Sequence, residues 1–233
     1  MSLASVTSSY WKLDGNSNDS VAAINGTDTS ITYSAGNGKI IQGAGFNGST
    51  SKIDFGNNYT ISTGLFSIAF WVKNSNTARQ ALVAKTNNLA QGYFCDVLAS
   101  TGYVRFTCVD NTNAGNTYAG QDSSVSIGST GVWHHVACIR SSISGAPDIY
   151  IDGVLSNGSA LINGTVSSIS TSNNLLLGKN NFGIAAFSGN LDEFAFFNGY
   201  TLTQADVNTL YNGGAGLQYP FTTNNSGFLQ FFN

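Results

Sequence analysis

Two histidines and one glutamate limit what chemistry this 233-residue chain can perform. His134 and His135 are neighbours, and on a strand neighbouring side chains point to opposite faces. They therefore cannot bind one metal ion together or act as a paired base, and a single histidine on a packed strand needs only one hydrogen bond. Cleaving a glycosidic bond takes two carboxylates flanking it, about 5 to 9.5 Å apart. Glu193 is the sole glutamate, so a glutamate pair is excluded, and Asp148 and Asp152 read better as turn residues than as an acid pair. No P-loop, dinucleotide fingerprint or nucleophile elbow is present.

Cys95, Cys108 and Cys138 show no CxxC spacing. Each lies in a strand-like run, where cysteine behaves as a small buried hydrophobe. One disulfide among them is the alternative, and spacing does not select the pair.

What remains is chemistry for holding rather than cutting. Sugars are held by aromatic faces and by planar amides and carboxylates. The loop Asp110–Tyr118, continued by Gln121 and Asp122, carries that mixture, as does Lys179–Gly183. The candidate ligand-binding residues are Asp110, Asn113, Asn116, Tyr118, Asp122, Asn180 and Phe182. The competing reading is an ordinary polar loop, which the abundance of asparagine favours for any single loop. Asp192 shares strand parity with Phe194 and Phe196, which aims its carboxylate toward the apolar side. A buried carboxylate must be hydrogen-bonded or must meet a cation.

The composition narrows the partners. Charged residues are 9% of the chain, against roughly a quarter in ordinary soluble domains. Nine Lys and Arg residues, scattered singly, and a net charge of −3 cannot supply the clustered cations that displace counterions from nucleic acid. Aromatics at 12% exclude the composition of a disordered chain. The start, Met1-Ser-Leu-Ala-Ser-Val-Thr7, has no basic and apolar leader, and no run of 18 apolar residues could span a membrane. A surface of Ser, Thr, Asn and Gly suits a β protein working outside a cell or on a virion.

The elements that must position these residues are strands. Phe66, Ile68, Phe70 and Val72 share one face of Leu65–Lys73. Val104, Phe106 and Cys108 alternate with Arg105 and Thr107, and Val132–Arg140 and Asp192–Phe197 repeat the period of two. Asn-Gly pairs punctuate the chain at 47–48, 157–158 and 163–164, and Asp152-Gly153 predicts a two-residue hairpin. One helix is predicted over Thr203–Asn212, capped by Thr203 with Asp206 three residues on and ended by Gly213-Gly214. Many short strands with regular turns indicate a sandwich or barrel. The segment Ala215–Asn233, with Tyr219, Phe221, Phe228, Phe231 and Phe232, predicts an extra strand or a contact with a neighbouring chain.

Five pieces resemble, in order, the laminin-G-like, concanavalin-A-like jelly-roll family. They are Tyr10-Trp-Lys-Leu-Asp14 with Asp19-Ser20; Phe46-Asn-Gly48 with Ile53-Asp-Phe55; Phe66–Lys73; Trp133-His-His-Val-Ala137 with Tyr150-Ile-Asp-Gly153; and Gly189–Glu193 followed by Leu202–Gly213. The resemblance implies an all-β fold of two antiparallel sheets with one short C-terminal helix, over residues 1–214, leaving 215–233 as an aromatic tail. The family includes glycoside hydrolases that use an E-x-D-x-x-E strand, which a single glutamate cannot build. In related modules a structural calcium joins the first strand to the last. Here that implies Asp14, Asp19 and Asp192 as oxygen ligands for Ca2+, with backbone N–H bonds to Asp192 as the alternative. Openings such as SYWKLD also resemble phage-encoded members. The expected function is non-catalytic glycan binding or adhesion, on a phage particle or cell surface, with surface polysaccharide as partner. A structural virion subunit that binds other subunits is the alternative, and a polysaccharide-degrading enzyme a third.

Overall fold

The computed structural model describes residues 1–61, 64–87, 90–110, 117–128 and 131–222. A four-residue helix α1 (Leu3–Val6), with Ser2 as its cap, precedes the strands; the sequence patterning gave no sign of it. The first strands are β1 (Ser9–Trp11), β2 (Thr27–Thr29), β3 (Thr32–Ser34), β4 (Gly43–Asn47), β5 (Lys52–Asp54) and β6 (Phe66–Asn74). Next come β7 (Gln80–Asn87), β8 (Gln91–Val97), β9 (Tyr103–Asp110), β10 (Thr117–Ser126), β11 (Trp133–Arg140) and β12 (Asp148–Ile151). The last are β13 (Val154–Leu155), β14 (Asn157–Asn163), β15 (Leu176–Leu177), β16 (Ala185–Ala186) and β17 (Ser188–Asn198), followed by helix α2 (Gln204–Tyr211). Among the described residues no helix is long and apolar enough to cross a membrane.

The strands form two sheets stacked as a jelly-roll sandwich. Sheet A runs β13-β12-β11-β6-β17-β4-β3, with β1 also on β17; sheet B runs β14-β10-β9-β8-β7-β15-β5-β2, with β16 on β7. Pairing is antiparallel except for the short parallel contact of β16 with β7. The predicted hairpin joins β12 to β13, pairing Ile151 with Val154. Asp152 and Gly153 both take positive φ, 51° and 82°, as a two-residue turn of this hand demands.

Alternation places the core where the patterning put it. Phe66, Ile68, Phe70 and Val72 from sheet A face Tyr93, Cys95, Val104, Phe106 and Cys108 from sheet B. Trp11 lies at the centre, its ring 4.3 Å from Phe55 and 5.1 Å from Phe194, and its Nε1–H donates to the Ile24 carbonyl at 2.7 Å. Each such ring hides roughly 150–250 Å2, about 4–6 kcal/mol before ordering costs at roughly 25 cal/mol per Å2. The three cysteines are free and buried.

The outer face of sheet A is roofed. Val207 and Leu210 of α2 pack with Tyr10, Ala69, Ala137, Ala195 and Phe197 in a second apolar layer, joined at its margin by Val6, Tyr219 and Phe221. Thr203 and Asp206 form the predicted capping box of α2. The described part of the C-terminal segment contains no strand. It folds back on its own sheet, with Tyr219 and Phe221 at 5.9 and 5.3 Å from Tyr10; Phe228, Phe231 and Phe232 lie outside the described residues.

One expectation about β17 fails. Glu193 takes φ 55°, and the register against β6 shifts between Asp192 and Ala195. This bulge inserts an extra residue, so parity inverts. Leu191 faces the core, while Asp192 lies opposite Trp71 on the outer face.

Candidate functional site

With sheet A roofed by α2 and the C-terminal segment, the outer face of sheet B is the sandwich face with the more open chemistry. Its strands align in cross-strand rows. Ala84, Phe94, Thr107 and Gly120 form one, and Asp96, Arg105 and Asp122 form the next. Val109 and Tyr118 stand opposite one another in a third.

Each row has a distinct role. Phe94 and Val109 make a small apolar patch with Ala84, against which Phe182 and Ile184 fold. Phe182 meets Phe94 edge-on with ring centroids 5.1 Å apart, and Tyr118 stays exposed beside them. In the charged row, Arg105 grips Asp122 through two bonds of 2.6 and 2.8 Å, the geometry that fixes a carboxylate most firmly. Arg79 donates to Asp96 at 2.5 Å. Burial pushes the Asp96 carboxyl up, and Arg79 pulls it back. Two buried oxygens on this face, Thr107 Oγ1 and Asp96 Oδ1, have no partner among the described residues. An unpaired buried acceptor costs about 1–3 kcal/mol, so it must be offset elsewhere in the fold.

Three of the predicted binding residues, Tyr118, Asp122 and Phe182, therefore meet on one face. Asn180 does not offer its amide to that face. Its Nδ2–H donates to the Ile184 carbonyl at 2.8 Å and its Oδ1 accepts the Phe182 N–H at 2.8 Å, so it shapes the turn that carries Phe182. Asp110 is fully buried on the core parity of β9, and its carboxylate accepts the Ser168 N–H at 2.7 Å. Asn113 and Asn116 lie outside the described residues. Phe94, Thr107 and Arg105 were missed as site residues. Their signal was parity, since Phe94 and Asp96 alternate with Tyr93, Cys95 and Val97.

The expected calcium ligands divide. Asp19 sits apart, accepting from Ser9 Oγ at 2.5 Å, Tyr10 N at 3.0 Å, Val21 N at 2.9 Å and Ile24 N at 3.1 Å. Asp192 accepts the Lys39, Ile40 and Glu193 N–H groups at 2.8, 2.9 and 3.0 Å. Asp14 accepts the Gln42 N–H at 2.9 Å. Gln218 joins Asp14 to Glu193 by donating at 3.0 and 2.5 Å, and Tyr10 also donates to Glu193. Among the described residues no three His, Cys, Asp or Glu side chains are placed to hold a metal ion. Asp14, Asp19 and Asp192 do not fit a single calcium cage, because backbone and side-chain donors already take their oxygens. Gln218 bridges Asp14 and Glu193; Glu193 is buried and its carboxylate is taken by Gln218 and Tyr10, while Asp14 is only partly buried.

The histidines behave as their adjacency requires. His134 Nδ1 lies 2.7 Å from Asp152 Oδ2 in the hairpin turn. The His135 ring packs 5.3 Å from Trp71 and 6.2 Å from Tyr211, buried beneath α2.

Comparison with known proteins fits this architecture. The model of the concanavalin A-like lectin/glucanases superfamily matches residues 47–208. No curated protein sequence matches the chain. Among solved structures, domain 4 of AbnA, a GH43 extracellular arabinanase from Geobacillus stearothermophilus in complex with arabinotriose, superposes with TM-score 0.65 at 21% identity, covering 90% of this chain and 98% of that one. The binding domain of Paraclostridial Mosquitocidal Protein 1 superposes with TM-score 0.68 at 16% identity, covering 90% and 52%. The Botulinum neurotoxin serotype D ligand binding domain, in complex with N-acetylneuraminic acid, gives 0.64 at 16%, covering 90% and 51%. The chain thus spans about half the length of the toxin domains.

Proposed function

This chain belongs to the concanavalin A-like lectin/glucanase superfamily, and on that footing we propose that it is a non-catalytic carbohydrate-recognition module. Its binding surface is the outer face of sheet B. The observation that carries the reading is the adjacency there of the Phe94–Phe182 pair, exposed Tyr118 and the Arg105-held Asp122. Aromatic surface receives the C–H face of a sugar ring, while fixed polar atoms take its hydroxyls. Arg105 pre-orders Asp122, so little side-chain entropy is lost on binding. The arabinotriose complex of the similar arabinanase domain supports saccharide as the ligand class. The burial of Glu193, the sole glutamate, with Tyr10 and Gln218 donating to its carboxylate, supports binding without turnover. The setting is extracellular, on a cell or phage surface, which the charge-poor composition supports.

A glycan array probed with the wild-type chain and with Tyr118→Ala and Phe182→Ala tests this. Binding to a defined glycan set should fall about tenfold in each variant, with melting temperature little changed. A wild-type chain that binds no glycan, or one that hydrolyses or eliminates a polysaccharide, overturns the reading.

A further inference from the structure

A second polar surface lies on the other sheet, at the end that α2 leaves open. One row crosses five strands of sheet A: Trp133, Lys73, Asn190, Gly45 and Thr32 stand in register. Lys73 is spoken for, because its Nζ lies 5.1 Å over the Trp133 ring and donates to the Gly36 carbonyl at 3.2 Å. Beyond it the sheet opens into a cleft of about 350 Å3 lined by Asn190, Ser188, Ser75, Thr32, Asn37 and Asn47 around Gly45 and Phe46. None of the described residues lining it is charged.

The cleft is held open by structure rather than by chance spacing of side chains. A Cβ at Gly45 would sit 2.5 Å from Asn37 Nδ2 and 2.6 Å from Thr32 Oγ1, so glycine keeps the floor clear. Asn37 is tied to Thr32 by donating to its carbonyl and hydroxyl at 3.1 and 3.2 Å. The Asn47 amide oxygen is taken by the N–H groups of Ser49, Thr50 and Ser51. Ser75 N donates to the Ser188 carbonyl at 3.2 Å, and Gln80 accepts the Ser188 N–H at 2.6 Å. That fixes the backbone of both serines while their hydroxyls, like the Asn190 amide, have no partner among the described residues. These free groups supply donors and acceptors without charge.

We infer that this cleft is a second ligand site, specific for a neutral polyhydroxylated unit such as an uncharged sugar ring. Its volume is at the small end of ligand pockets, roughly 300–1,000 Å3, which limits it to one or two sugar units. A carboxylate or phosphate would lose water there and meet no charged group in the lining, since Lys73, the cation in the same row, is directed at the Trp133 ring and the Gly36 carbonyl. The site stands on sheet A and does not depend on the sheet B face, so the two together make the module bivalent.

Titrating 15N-labelled protein with arabinotriose and with maltotriose, and with N-acetylneuraminic acid as the anionic control, tests it by NMR. The Asn190 side-chain amide and the Gly45 and Gly189 backbone amides should shift with at least one neutral sugar and not with the anion. Asn190→Ala should raise the midpoint read at Gly45 about tenfold. Gly45→Val should abolish the response while signals near Phe182 respond as in the wild type. No shift at these amides with either neutral sugar, an equal response to the anion, or an unchanged midpoint in Asn190→Ala overturns the inference.

Discussion

Asp192 lies directly opposite Trp71 across the β17–β6 ladder, on the roofed outer face of sheet A and not in the core between the sheets. Burial, reinforced by Glu193 next to it, pushes the Asp192 carboxyl up to about 8, and burial pushes Glu193 up to about 7. The folded chain therefore holds protons that unfolded carboxylates, with pKa about 4, release. Stability contributed by this pair falls as pH rises from about 4 to about 8. His135 acts in the opposite direction. Burial lowers it to about 4, so folding gains from it as pH rises between about 4 and its ordinary value near 6.5. Urea denaturation should consequently show a clear loss of stability between pH 6.5 and 8, and Asp192→Asn should flatten that slope. An equally steep slope in the variant would assign it elsewhere.

Removing divalent cations should leave the fold untouched. The carboxylate oxygens of Asp19 and Asp192 already accept N–H and O–H donors, so calcium gains no vacant cage in which to bind the folded state alone. The melting temperature in EGTA should match that in millimolar calcium. A rise on adding calcium would show that these donors are displaced.

The thiols should be silent until the chain unfolds. Cys95 and Cys138 approach to 3.9 Å across the two sheets, and burial pushes Cys95 well up and Cys108 up to about 12. The thiolate is the reactive form, so an aromatic disulfide reagent should titrate no thiol in the native protein and all three in denaturant. Rapid reaction of any one without denaturant would show local opening of the core.

Helix α2 should depend measurably on its cap. Thr203 Oγ1 accepts the Asp206 N–H at 3.3 Å, and the Asp206 carboxylate accepts the Thr203 N–H at 2.9 Å. Thr203→Ala should cost about 1 kcal/mol in chemical denaturation. Because α2 seals His135 and Trp71, its loosening should also change tryptophan fluorescence before global unfolding.

Much of the architecture was legible because alternation is a local property. The runs around Phe66–Val72 and Val104–Cys108 declare an inner face from their own residues, and Asp152-Gly153 declares its turn by the positive φ it must adopt. Thr203 with Asp206 likewise announced the start of α2, since a cap satisfies backbone donors within one turn. Tyr118, Asp122 and Phe182 were readable as binding candidates from side-chain type alone.

What the chain could not declare locally was decided by contacts between distant segments. Glu193 breaks the parity of β17 through a bulge that only pairing with β6 and β4 defines, and this moved Asp192 from the core to the roofed face. Asp110 and Asn180 have the chemistry of ligand groups, yet Ser168, Phe182 and Ile184 consume their hydrogen bonds. Phe94 became part of the candidate site because four strands aligned it with Thr107 and Gly120, and the polar cleft at Gly45 exists because five strands meet in register. Hydrophobic period is written in one segment at a time, whereas a site is a coincidence of several segments, and only the packed sandwich brings them within hydrogen-bond reach.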